Sequence, residues 1–105
     1  MTNDYRPSLS LDLAIAKAQM LTDIRQFFAR RGVLEVTTPI LSHHGNTDVF
    51  IESVSVNFHQ DGKACRGYLH TSPEFAMKRV LADYQMPIYQ LCQVFRDNEH
   101  GTRHN

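Results

Sequence analysis

A chain of 105 residues, 42% of them apolar and 21% charged, has the size of one domain with a modest core and a globular rather than disordered balance. Eleven basic residues offset eleven acidic ones, so the broad basic footprint of a dedicated nucleic-acid binder is absent, and any phosphate site must be local, with Lys78, Arg79, Arg96 and Arg103 as its candidates. No apolar run approaches the ~20 residues of a membrane span. Pro7 and its polar neighbours do not make a signal peptide, and Cys65 and Cys92 read as buried thiols of a cytoplasmic protein.

Residues 1–9 read as a flexible lead-in. Ser10 is placed to cap a helix running to about Arg31, with Gly32 as its stop. Leu13, Ala16, Met20, Ile24, Phe27 and Phe28 recur at helical spacing and predict one core-facing stripe, while Asp12 and Arg30-Arg31 complement the helix dipole. Val33 to Val36 reads as a short strand closed by Thr37-Thr38-Pro39, because proline has no amide hydrogen for a ladder. Ser42 to Thr47 is a polar loop with Gly45-Asn46 as its turn signal.

From Phe50 to Phe58 apolar and polar residues alternate, with Phe50, Val54, Val56 and Phe58 on one parity, which predicts a half-buried strand of an antiparallel sheet. Asp61-Gly62 is a hairpin turn, and the chain returns through Cys65 to Leu69. Thr71-Ser72-Pro73-Glu74 opens a second helix reaching about Asp83, with Ser72 as cap, Pro73 in the first turn and Glu74 at the positive end. After Pro87 a closing strand carries Ile88, Tyr89, Leu91, Val94 and Phe95. The order predicts an α+β fold with an antiparallel sheet flanked by helices.

The richest chemistry lies at Arg96 and beyond. A guanidinium held at the end of a strand can grip a phosphate or carboxylate through two parallel hydrogen bonds. Asp97, Asn98, Glu99, His100, Arg103, His104 and Asn105 follow in a polar loop that calls for a returning strand, so the chain reads as part of a larger unit. His43 and His44 would diverge on a strand, and no cysteine lies at zinc-ligand spacing, so no metal site built from side chains is expected. Taken singly, Glu74 is a dipole partner, Arg96 a surface arginine, and Lys78-Arg79 a solvated helix face.

Three stretches change that reading when taken together: Gly32 to Leu41 after the long helix, Thr71 to Glu74 with Met77-Lys78-Arg79, and Gln90 to Arg96 with His104-Asn105. In this order and spacing they resemble the start of a class II aminoacyl-tRNA synthetase catalytic domain of the lysyl type. The first resembles motif 1 of that family and the third the first strand and loop of motif 2. The resemblance implies that residues 10–105 are the N-terminal part of such a domain, with an incomplete sheet. The Thr-Ser-Pro-Glu and Gln-Leu-Cys wording is similar to the shortened lysyl-type paralogues that modify elongation factor P. The early start of the first helix, which leaves no room for an anticodon-binding domain, agrees with that group.

What the resemblance implies is a two-step ligation. An (R)-β-lysine or lysine carboxylate is activated by ATP as an adenylate, and the acyl group passes to a lysine side chain of elongation factor P. Arg96 matches the catalytic arginine at the α-phosphate. Ser72, Pro73 and Glu74 match the wall that receives the substrate, Glu74 taking its amino group. Arg96, Asp97, Asn98 and Asn105 match nucleotide-binding positions, and Mg²⁺ would accompany the phosphates.

Motif 1 implies a homodimer, while tRNA and membrane are not expected partners. The usual motif 2 run is Arg-x-Glu. Here Asn98 stands where that carboxylate holds the adenine amino group, and either its amide oxygen or Glu99 could serve. The groups expected beyond Asn105 imply that this stretch alone is inactive. A lysine–tRNA ligase fragment and a non-catalytic dimerisation or regulatory module are the alternatives.

Overall fold

Ser10 starts the first element as its residue type predicts. Its backbone is extended and its Oγ accepts a hydrogen bond from the Leu13 amide at 3.3 Å, which satisfies one of the orphan donors of the helix N-terminus. In a computed structural model that describes residues 7–45 and 52–98, helix α1 then spans Leu11–Arg30. Arg31 caps it, and Gly32 follows at φ +70°, a left-handed position that glycine takes without strain. Next come β1 (Leu34–Glu35), β2 (Leu41–Ser42), β3 (Ser55–Gln60), β4 (Lys63–Leu69), α2 (Glu74–Tyr84) and β5 (Ile88–Tyr89).

The hairpin is the most regular part. Asp61 and Gly62 both have positive φ, +54° and +76°, the backbone of a two-residue turn whose twist matches its strands. Register runs from Ser55 opposite Tyr68 to Gln60 opposite Lys63. The expected alternation holds inside it, with Val56 and Phe58 half-buried and Ser55 and Asn57 exposed. Among the described residues regular pairing begins at Ser55, and Phe50, the expected start of this strand, lies outside them. β2 adds to the other edge of β4, antiparallel, giving the order β2-β4-β3. Gly67 permits this close packing: a β-carbon there would meet Leu41 Cδ1 at 2.8 Å and Phe58 Cε1 at 2.9 Å.

Several expectations need correction. β1 pairs with β5 in parallel, Leu34 opposite Ile88 and Glu35 opposite Tyr89, so the fold is not wholly antiparallel. The hairpin and α2 lie between these two strands and provide the long crossover that a parallel pair requires. The strand expected over Val33 to Val36 shortens to two residues, β2 was not foreseen in the polar loop, and the closing strand is regular only at Ile88–Tyr89. Pro73, not Ser72, takes the N-cap position of α2 and makes no side-chain cap bond. Ser72 Oγ, one residue earlier, accepts from the Glu74 amide at 3.5 Å. Cys92 is exposed and Cys65 half-buried, both as free thiols, so neither is buried as expected.

The stripe of α1 meets the sheet only partly. Phe28 stacks on Tyr89 with centroids 4.2 Å apart, and Arg25 Nε donates to both Glu35 oxygens at 3.1 Å. The Tyr89 hydroxyl donates to Glu35 Oε1 at 3.4 Å, and burial, with the Glu35 carboxylate beside it, pushes this phenol above its ordinary 10.0. Leu13, Met20 and Phe27 on the same helix are 59%, 54% and 48% exposed, against the expectation that the whole stripe packs into a core. Among the described residues Val36 is the buried apolar side chain and Thr71 the buried polar one.

Candidate active site

Three distant stretches converge on a cavity of about 790 Å³. The end of β4 and start of α2 contribute His70 through Ala76, β2 contributes Ser42, and the segment after β5 contributes Arg96. Arg79, on the second turn of α2, also lines it, whereas Lys78 does not. Thr71, 7% exposed, anchors the turn that presents Ser72, Pro73 and Glu74.

The backbone on both sides of Arg96 is fixed. The Phe95 amide donates to the His70 carbonyl at 3.1 Å and the Asp97 amide to the Glu52 carbonyl at 2.9 Å. Upstream, Thr38 Oγ1 donates to Gln90 Oε1 at 3.0 Å and His70 Nε2 lies 2.6 Å from the Gln93 carbonyl oxygen. The Arg96 side chain is exposed, and no described residue pairs with its guanidinium. A cation with a tethered backbone and free donors is ready for an anion.

Glu74 is differently engaged. Its Oε1 lies 3.0 Å from Lys78 Nζ, one helical turn on, and both side chains are 68% exposed. Such a surface pair contributes about 0.3–0.5 kcal/mol, so a second ammonium can displace Lys78 cheaply. Glu74 also borders a second, mainly apolar cavity of about 590 Å³ lined by Met77, Leu81, Pro87 and Ile88. The larger cavity therefore has two guanidinium groups, Arg79 and Arg96, and one carboxylate at Glu74, a charge pattern suited to a molecule bearing both anionic groups and an ammonium.

Ser72, Pro73, Glu74 and Arg96 thus line the same cavity. Asp97 and Asn98 do not line the cavity. Asn98 has φ +58° and its Nδ2 donates to Glu52 Oε2 at 2.6 Å, while its backbone N–H donates to Asp97 Oδ1 at 3.0 Å. A carboxylate is acceptor only, so the amide nitrogen must face Glu52. Asn105 and Glu99 lie outside the described residues. Sequence reasoning missed His70, although a histidine between Leu69 and Thr71 at a strand end was its signal; of its paired phosphate candidates Lys78 and Arg79, Arg79 alone lines the cavity. The described donors do not fit a protein-held metal: Glu74 is the one carboxylate on the cavity wall, and no described cluster of three ligating side chains exists.

Residues 4–105 match the family described as tRNA synthetases class II (D, K and N), and the chain belongs to that family. Similar relatives carry a more particular name. A protein of Pasteurella multocida is 45% identical over 106 residues, covering 97% of this chain and 32% of the relative. One of Vibrio vulnificus is 44% identical over 107 residues, covering 100% and 33%, and one of Actinobacillus succinogenes 46% identical over 103 residues, covering 96% and 32%. All three are named elongation factor P–(R)-β-lysine ligase. The chain spans about a third of the length of the curated relatives it matches.

Proposed function

We propose that the chain supplies the substrate-activating wall of an ATP-dependent ligase that joins (R)-β-lysine, or lysine, to a lysine side chain of elongation factor P. The observation that carries this reading is the convergence of Glu74, from the start of α2, and Arg96, from the segment after β5, on one cavity. The relatives' names support the protein acceptor over tRNA.

In this reading Glu74 takes the substrate ammonium in place of Lys78, and Ser72 and Pro73 form the wall beside it. Arg96 faces the α-phosphoryl group, where negative charge grows as the substrate carboxylate oxygen attacks phosphorus and the bond to pyrophosphate breaks. The acceptor lysine amine then attacks the acyl carbon, loses a proton, and AMP leaves. Arg79 serves the outer phosphates, and Asn98, through the oxygen left free by its bond to Glu52, or Glu99 serves the adenine. Asp97 and Asn105 complete the nucleotide site. Mg²⁺ travels on the ATP phosphates rather than on this chain's carboxylates. The protein is read as cytoplasmic because its proposed acceptor is a translation factor, and as a homodimer because Leu13, Met20 and Phe27 present an uncovered stripe that a second copy would bury.

The test is (R)-β-lysine-dependent ATP–pyrophosphate exchange by the full-length protein. Glu74→Gln should raise the KM for the amino substrate by about 10- to 100-fold, the loss typical of a hydrogen bond to a charged group. An unchanged KM would return Glu74 to a helix-dipole role.

A further inference from the structure

We infer that His70 is a positioning residue that aligns Arg96 with Glu74; this rests on the ligase reading above. His70 sits where the end of β4, the approach to β2 and the segment after β5 meet. Its amide donates to the Ile40 carbonyl at 2.8 Å beside β2, and its own carbonyl accepts from Phe95 at 3.1 Å. Its ring reaches the Gln93 carbonyl at 2.6 Å through Nε2 and lies 6.4 Å from the Phe95 ring at a tilt of 33°.

These contacts leave little choice in the chemistry. A carbonyl oxygen only accepts, so the proton must be on Nε2. Nδ1, on the other side of the ring, is buried with no partner among the described residues. One residue thereby grips the 90–96 segment twice, by main chain at Phe95 and by side chain at Gln93, on the two residues nearest Arg96 that make cross-segment bonds on its N-terminal side. Because His70 precedes the Thr71-Ser72-Pro73-Glu74 turn, the same residue sets the distance between the carboxylate that takes the ammonium and the arginine that takes the phosphoryl charge. The segment needs such a clamp, since it has no regular strand pairing beyond Tyr89.

His70→Leu removes the Nε2 donor and His70→Gln restores an amide donor at a similar reach. In single-turnover adenylate formation by the full-length protein, His70→Leu should lower the rate about 10- to 100-fold, the loss that follows a shift of roughly 1 Å at a reacting group. The KM for the amino substrate should stay unchanged, and His70→Gln should recover most of the lost rate. A purely structural role would lower both variants alike and in proportion to their loss of folded protein, and that result overturns the inference.

Nitrogen-15 NMR of the unmutated full-length protein needs no variant to fold: a proton on Nε2 is expected, and an unprotonated Nε2 overturns the inference. Arg96→Ala in the same assay separates the two levels. If it keeps full rate, the ligase reading falls and this inference with it. If it is inactive while His70→Leu is unimpaired, the inference alone falls.

Discussion

The β3–β4 hairpin and the segment from Ile88 to Asn98 are both extended chain, but they are held by opposite means. The hairpin is self-contained: a positive-φ turn at Asp61-Gly62 and an unbroken register between neighbours in sequence. The later segment borrows each of its supports from far away. Leu34 and Val36 hold it at Pro87 and Tyr89, Thr38 at Gln90, His70 at Gln93 and Phe95, and Glu52 at Asp97 and Asn98. The local element builds the platform, and the borrowed one carries the arginine. Bonds from several elements aim a side chain at a site that no single element could define.

Breaking each region should therefore have a different consequence. Arg96→Ala should lower ATP–pyrophosphate exchange about 100- to 1000-fold, the loss seen when a donor to developing charge is removed. Its thermal stability should stay within about 0.5 kcal/mol, as for other exposed side chains. Gly67→Ala attacks the platform instead. Its β-carbon would press on Leu41, Phe58 and the Ser42 carbonyl oxygen, the last at 3.1 Å. Denaturant unfolding should show a destabilisation of about 1–3 kcal/mol, with exchange per folded molecule retained.

Lys78→Met frees Glu74 of its resident ammonium and should lower the KM for the amino substrate about twofold, in line with a surface ion pair. The smallest effect concerns the join of α1 to the sheet. Tyr89 ionises above its ordinary 10.0 in the folded protein, so its contribution is complete below that pH and is lost as pH rises through the raised value. Tyr89→Phe should flatten the stability decline measured above pH 10.0.

This contrast also marks how far the residues alone could be read. Ser10, Gly32, Asp61-Gly62 and the alternation of Val56 and Phe58 specify local geometry, and each stands as expected. The convergence of Glu74 and Arg96 was legible only through a family resemblance, because no local rule links residues on separate elements. The parallel pairing of β1 with β5 and the brief β2 were illegible for the same physical reason: two-residue strands have too little periodicity to show partner or direction. The stripe of α1 was read correctly as a pattern but wrongly as covered. Amphipathicity says that a face needs a partner, not which chain supplies it. Asn98 was a departure from a motif; its bond to Glu52 shows what that amide does in the fold, which no spacing could reveal.

The central claim is that Glu74 and Arg96 serve one substrate in one cavity. Its most direct test is (R)-β-lysine-dependent ATP–pyrophosphate exchange by the full-length protein beside its Glu74→Gln and Arg96→Ala variants, each with a thermal melt. The account predicts exchange in the unmutated protein, a raised KM in the first variant, a collapsed rate in the second, and superimposable melts. Exchange unaffected by both substitutions, or lost only where the melt shifts, would contradict it.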